Sequence, residues 1–147
     1  MKYHFQYLRT IKFADTDMAG IAHFSNFFRW MEEAEHAFLQ HLEIAITQRG
    51  ANSDTAWVRS ETRCIYCSPL RFQDELIVHL LLHKIHECII DYEFMFYKQS
   101  QNIKKRVAHG SMSVVYAEKN RSTGRISKIP FTRDIMDAVM KVPLRSS

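Results

Sequence analysis

Residues 13–42 read FADTDMAGIAHFSNFFRWMEEAEHAFLQHL, and the period of the apolar residues changes inside this stretch. Up to Ser25 it holds two aspartates, Asp15 and Asp17, then Gly20, with no periodicity, which predicts a loop. From Asn26 the apolar side chains fall at Phe27, Trp30, Met31, Ala34, Ala37, Phe38, His41 and Leu42. That is helical spacing, with Arg29, Glu32, Glu33, Glu35 and His36 mostly on the opposite side. At about 1.5 Å per residue the helix would run about 25 Å, enough to cross a small sheet.

Upstream, Tyr3, Phe5, Tyr7, Ile11 and Phe13 alternate loosely and predict a first strand over residues 3–14. Downstream, residues 43–55 lose periodicity and form a connecting loop. Four strand-like runs follow, at 56–67, 75–86, 89–97 and 106–117. In the third, Ile90, Tyr92, Phe94 and Phe96 share one face while Asp91 and Glu93 point the other way. Ser68-Pro69, His86-Glu87 and residues 99–102 are the expected turns, and residues 132–141 suit a short last helix. One strand, one long helix and four strands make an α+β fold, an antiparallel sheet packed on one helix, in a single domain over residues 1–147.

Composition narrows the function. The chain has 147 residues, 46% hydrophobic and 24% charged, near the globular average. No apolar run is long enough to span a bilayer, and the first ten residues lack the core of a signal peptide. Three cysteines do not make a disulfide framework, so a cytoplasmic location is expected. The four glycines have neither dinucleotide-binding nor phosphate-loop spacing. Twenty basic against sixteen acidic residues leave a net charge of +4, which suits an anionic small molecule. The one basic run, Lys104-Lys105-Arg106, lacks interleaved aromatics, so nucleic acid is not the expected partner and the run reads as a solvated loop. Cys64 and Cys67 have C-x-x-C spacing, but three residues apart on a strand they face opposite ways; they read as buried apolar residues, and no metal is expected.

The chemistry concentrates in the opening stretch. Two carboxylates and a glycine precede a long helix whose first turn has free N–H groups and a partial positive charge. A carboxylate facing such an end is a minimal acyl-transfer site, with one group to attack or activate water and donors for the oxyanion. The same aspartates could be turn formers, and Ser25 or Asn26 could cap the helix.

Asp15, Asp17, Gly20, Asn26 and Phe27 fit the pattern D-x-D-x-x-G-x-x-x-x-x-N-[YF], and in this the chain resembles hotdog-fold acyl-CoA thioesterases of the 4-hydroxybenzoyl-CoA thioesterase and YbgC-like type. The likeness continues through Val58-Arg59-Ser60, residues 66–76 and residues 125–130. It implies a five-stranded antiparallel sheet wrapped around one long helix. It further implies subunits that pair edge to edge as a homodimer or homotetramer, with the active site at their interface. On this resemblance Asp17 is the catalytic carboxylate, as nucleophile or general base, and the Phe24 backbone N–H polarises the thioester carbonyl. Asp15 holds the loop. Arg125 contacts the nucleotide phosphates of coenzyme A, which enters as part of the substrate rather than as a cofactor. His23, Asn26, Arg59, Lys84 and His86 are further substrate-binding candidates, with Lys128 behind them. His23 departs from the pattern, since relatives carry an aromatic residue there, and His86 stands near where the benzoyl-type enzyme has arginines.

The expected activity is hydrolysis of an acyl- or aroyl-CoA thioester to free acid and coenzyme A. A thiol, with a reference pKa near ~8.5, leaves without much help from a general acid. An acyl-carrier-protein thioesterase and a non-hydrolytic acyl-thioester-binding module are the alternatives.

Overall fold

The computed structural model describes residues 2–146. In chain order it has strands β1 (Lys2–Tyr3) and β2 (Phe5–Thr10), a 3-10 turn (Phe13–Asp15) and helix α1 (Asn26–His41). Strands β3 (Ser53–Tyr66), β4 (Glu75–His86), β5 (Ile89–Ser100), β6 (Ile103–Asn120) and β7 (Ile126–Lys128) follow, then helix α2 (Arg133–Met140) and strand β8 (Arg145–Ser146). The main sheet runs β2-β4-β5-β6-β3, antiparallel throughout, as the sequence predicts. The short β7 joins β6 over residues 117–119, just beyond Val115, where β6 pairs with Ile89 at the start of β5.

The first strand is shorter than its alternation suggests. Asp15 turns the chain, its carboxylate accepting the Lys12 N–H at 2.8 Å, so residues 13–15 coil instead of extending. Strands β5 and β6 run further than expected because their hairpin closes on two residues, Gln101 and Asn102, both with positive φ (45° and 66°). That tight turn draws Lys104, Lys105 and Arg106 into β6, where they are exposed strand residues rather than a loop.

Helix α1 packs its apolar stripe onto the concave face of the sheet. Phe27, Trp30, Met31, Ala34, Phe38 and Leu39 are buried against Leu76, Val78, Leu80, Ile90, Tyr92, Phe94 and Phe96. Each large side chain so buried stabilises the fold by about 1.5–3 kcal/mol. Glu35, expected on the solvent side, is wholly buried. Its Oε1 meets Arg59 Nη2 from β3 at 2.6 Å, and this pairing lets a carboxylate lie inside the protein.

His79 is the second buried titratable group. Leu76, Val78 and Leu80 of β4 point to the helix, so His79 lies on the sheet's other face. It is nevertheless only 1% exposed, because β1 pairs with β8 and Tyr3 stacks on the imidazole at 4.0 Å between centroids. Neither ring nitrogen has a hydrogen-bond partner among the described residues.

These two groups give the fold opposite responses to pH. Burial pushes the Glu35 carboxyl up from 4.5 to about 7, with Arg59 opposing and Glu32 adding to the rise. The resulting stability is complete below pH 4.5 and is lost as pH climbs through 7. Burial, followed by the charge of Lys104, pushes His79 down from 6.5 to about 4. Its contribution is complete above pH 6.5 and is lost as pH falls through 4. Where the windows overlap, each changes stability by about 1.4 kcal/mol per pH unit in opposite directions. In urea denaturation at a series of pH values between 4.5 and 6.5, stability should rise more steeply with pH in Glu35→Gln than in wild type, and less steeply in His79→Phe.

Candidate active site

The loop before α1 is a small hairpin. Thr16 bridges Ala22, the Asp17 N–H donates to the Ile21 carbonyl at 2.9 Å, and the Gly20 N–H returns to the Asp17 carbonyl at 3.0 Å. Gly20 has φ +76°, a conformation that costs a residue with a Cβ, which is why glycine serves here. One Asp17 oxygen accepts the Ala19 N–H at 2.8 Å. Its second oxygen has no partner among the described residues, and the side chain joins no ion pair.

Asp15 has the opposite fate. Arg9 from β2 approaches both its oxygens at 3.2 and 3.3 Å and reaches on to Glu33 of α1 at 2.8 Å. The Asp15 carbonyl accepts the His23 N–H at 2.8 Å and the Asn26 side-chain amide at 2.7 Å. Asp15 therefore ties strand, loop and helix together, and its neighbour two residues on is left with an uncommitted oxygen.

Neither Ser25 nor Asn26 caps the helix with its side chain. The N–H groups of Asn26, Phe27 and Phe28 close back onto the carbonyls of residues 23, 24 and 25. The Phe24 N–H has no hydrogen-bond partner among the described residues, while its carbonyl accepts from the Tyr66 hydroxyl at 3.0 Å. Burial, with Cys64 adding, pushes the Tyr66 phenol up to about 12, so it stays protonated and remains a donor at neutral pH.

Beside this free amide opens a cavity of about 450 Å³, walled by Ile21, Ala22, Phe24, Phe27, Tyr66 and residues 67–70. Phe27 sets its ring edge-on to Trp30, Tyr66 and Phe96, so it serves core and cavity at once. The Ala22 N–H donates to the Leu70 carbonyl at 2.7 Å and joins the two halves of the wall. Asp17 stands at the base of the adjoining turn rather than in this wall. Cys67, expected to be buried, is an exposed wall residue beyond the end of β3, whereas Cys64 is half-buried and its thiol is raised to about 11, chiefly by burial.

The sequence-derived candidates divide into two groups. Asp17, His23, Phe24 and Asn26 belong to the loop and first helical residue before the cavity, where the His23 N–H and the Asn26 amide both bond the Asp15 carbonyl. Arg59 is engaged by Glu35 and Glu32 at 2.6 and 3.5 Å and faces helix α1, not the cavity. Lys84 and His86 lie nine and eleven residues beyond Glu75, the β4 residue nearest the loop, which at about 3.3 Å per residue is roughly 30 Å away within one chain. Arg125 is equally remote. It lines a polar cavity of about 530 Å³ with Asn52, Ser53, Glu118, Asn120, Thr123 and Ser127, at the opposite end of β3 from Tyr66. Arg9, Tyr66 and Ser25 escape sequence reading as parts of the site. Arg9 has no local signal, because its partners Asp15 and Glu33 come together only when β2 meets α1.

A long helix packed on one face of an antiparallel sheet with strand order β2-β4-β5-β6-β3 is the hotdog fold. The chain matches the thioesterase-like superfamily over residues 3–141 and belongs to that family. It is 30% identical over 101 residues to a putative esterase of Aquifex aeolicus, covering 69% of this chain and 78% of that protein. It is 28% identical over 119 residues to a 1,4-dihydroxy-2-naphthoyl-CoA hydrolase of Prochlorococcus marinus, covering 76% and 79%. In three dimensions it shares its fold with a 4-hydroxybenzoyl-CoA thioesterase mutant solved with 4-hydroxybenzoyl-CoA, at a TM-score of 0.78 and 14% identity over 91% of this chain and 96% of that one.

The tie from Asn26 to Asp15 is open to a direct test. Asn26→Ala removes the 2.7 Å bond to the Asp15 carbonyl but leaves the His23 N–H on the same atom. A loss of about 1 kcal/mol in stability is expected, with a lower kcat on any thioester that the wild type turns over. Thermal melts and initial rates measure both.

Proposed function

We propose that this protein is an acyl-CoA thioesterase, hydrolysing an acyl- or aroyl-CoA thioester to the free acid and coenzyme A. The observation that carries the reading is the pairing of an uncommitted Asp17 oxygen with an unbonded Phe24 N–H on one tied loop, beside an apolar cavity. The acyl group enters the cavity and its carbonyl oxygen takes the Phe24 N–H, at the positive end of α1. Asp17 attacks the carbonyl carbon and expels the coenzyme A thiolate, leaving a mixed anhydride. Water hydrolyses that anhydride to the free acid and the restored carboxylate, with release of a proton. Alternatively Asp17 takes a proton from the water that attacks the carbonyl, and the thiolate leaves and takes up that proton. The names of the relatives, two of them for CoA-thioester hydrolases, support the substrate class. Three free thiols support a reducing, cytoplasmic setting. No helix among the described residues is long and apolar enough to cross a membrane. No group of three or more His, Cys, Asp or Glu side chains among them could hold a metal ion.

The working unit in this reading is a homodimer, alone or within a homotetramer. Strand β3 is a fourteen-residue edge with one side unpaired, and Ile65 and Tyr66 are exposed near its end. Antiparallel pairing of two such edges about their midpoints sets Ser53 of one copy beside Tyr66 of the other. Arg125 shares a cavity with Ser53, so pairing carries Arg125 of the partner subunit to the Tyr66 cavity. Lys84 and His86 lie toward the same end of the sheet as Arg125, where the Tyr116 N–H donates to the Cys88 carbonyl. The basic candidates thus become reachable for coenzyme A phosphates in trans.

A thiol-trapping assay over aromatic, short-chain and long-chain acyl-CoAs tests the reading. Thiol release from at least one of them is expected. Binding without release would favour a non-hydrolytic module, and release only from acyl carrier protein would move the substrate to that carrier.

A further inference from the structure

Two hydrogen-bond contacts converge on one nitrogen of His23. The Ser25 hydroxyl lies 2.7 Å from Nδ1, and the Ser25 backbone N–H points at the same atom from 3.3 Å. A backbone N–H can only donate, so Nδ1 presents a lone pair and carries no proton. A neutral imidazole has one N–H, which therefore resides on Nε2. The serine hydroxyl is available for this because it does not cap α1. The imidazole lies against the Phe24 ring, 4.6 Å between centroids at 27°. Phe24 in turn forms cavity wall and carries the unbonded N–H. His23 is exposed and stacks on a wall residue of the cavity without itself lining it, and its Nε2 has no hydrogen-bond partner among the described residues.

We propose that His23 acts as a hydrogen-bond donor through Nε2–H to an acceptor on the acyl thioester, and that Ser25 is the positioning residue that holds it in this tautomer. The proposal rests on the thioesterase reading. It gives His23 a definite role, because an imidazole locked with its proton on Nε2 offers no lone pair outward and does not take a proton from water. Glutamine is the substitute that keeps an N–H donor at a similar reach, whereas phenylalanine keeps only the ring.

The test has a spectroscopic and a kinetic arm. In protein labelled with nitrogen-15 histidine, long-range proton–nitrogen spectra at neutral pH should show His23 with a protonated Nε2 and a bare Nδ1. Ser25→Ala should shift the pattern toward a mixture of tautomers. Adding a phenacyl thioether of coenzyme A, which keeps a carbonyl but cannot be hydrolysed, should move the Nε2–H resonance. On a thioester that the wild type turns over, His23→Gln should stay within about threefold of wild-type kcat/KM, while His23→Phe should lose about tenfold or more. A proton found on Nδ1, no response of Nε2–H to the thioether, equal losses in the two variants, or full activity in His23→Phe would each overturn the proposal. A wild type that releases no thiol strikes the thioesterase reading instead, and the tautomer and the thioether response still decide whether His23 is a donor.

Discussion

Asp17→Asn is expected to lower kcat by about 10²-fold or more, with the melting temperature close to that of wild type. The two halves of this expectation have separate physical causes. Asparagine keeps an oxygen that can accept the Ala19 N–H, so the turn around Gly20 retains the bond that shapes it. What disappears is the negative charge on the oxygen that has no partner, the only one on the loop free to attack a carbonyl or draw a proton from water. Asp15→Asn should behave differently. Its carboxylate answers Arg9, so the substitution weakens a charge-assisted contact that joins β2 to the loop, and stability falls along with rate. Stopped-flow rates and thermal melts on both variants separate them, and wild-type turnover in Asp17→Asn would end the assignment.

Activity is also expected to rise when two impaired variants are mixed. Arg125→Ala should weaken substrate binding, and Asp17→Asn should remove the chemistry. If Arg125 serves the site of the partner subunit, a mixed dimer holds one site with both residues intact. Co-refolding equal amounts should then give about a quarter of wild-type activity, since half the dimers are mixed and each of those has one good site of two. If both residues served the same chain, no such site would form and activity would remain near that of Arg125→Ala diluted by half. The prediction rests on position: Arg125 shares a cavity with Ser53, at the end of β3 opposite Tyr66, and in the proposed dimer pairing along that edge brings Arg125 of the partner subunit toward Phe24. A sheet edge that stays monomeric in solution at assay concentration would remove the basis for this prediction.

Much of the architecture could be read from the chain because its determinants are local. The helical spacing of Phe27, Trp30, Met31, Ala34 and Phe38 and the alternation of Ile90, Tyr92, Phe94 and Phe96 each report one face of one element, and these residues are buried. At the end of the helix the pattern drifts, with Ala37 and Leu42 half-buried, His41 exposed and Leu39, outside the predicted stripe, buried. The loop with Asp15, Asp17 and Gly20 is equally legible, because two aspartates followed by a glycine, without periodicity, just before a helix are turn chemistry read from near neighbours. Local pattern failed where a partner distant in sequence changed the outcome. Glu35 looks solvent-facing in the sequence but meets Arg59 of β3, and His79 is covered by Tyr3 from β1 and Tyr97 from β5.

What the sequence determined by itself is the element order, the core faces and the short loop that carries the carboxylate, since side-chain period and turn chemistry depend on near neighbours. Only the tertiary structure decided that Asp15 is bound while one Asp17 oxygen stays free, that the Phe24 N–H lacks a partner, and that Arg59 turns inward. Those outcomes depend on which donors and acceptors meet across strands β2 and β3 and helix α1, and a hydrogen bond at 3 Å is settled by distances in space rather than by spacing along the chain.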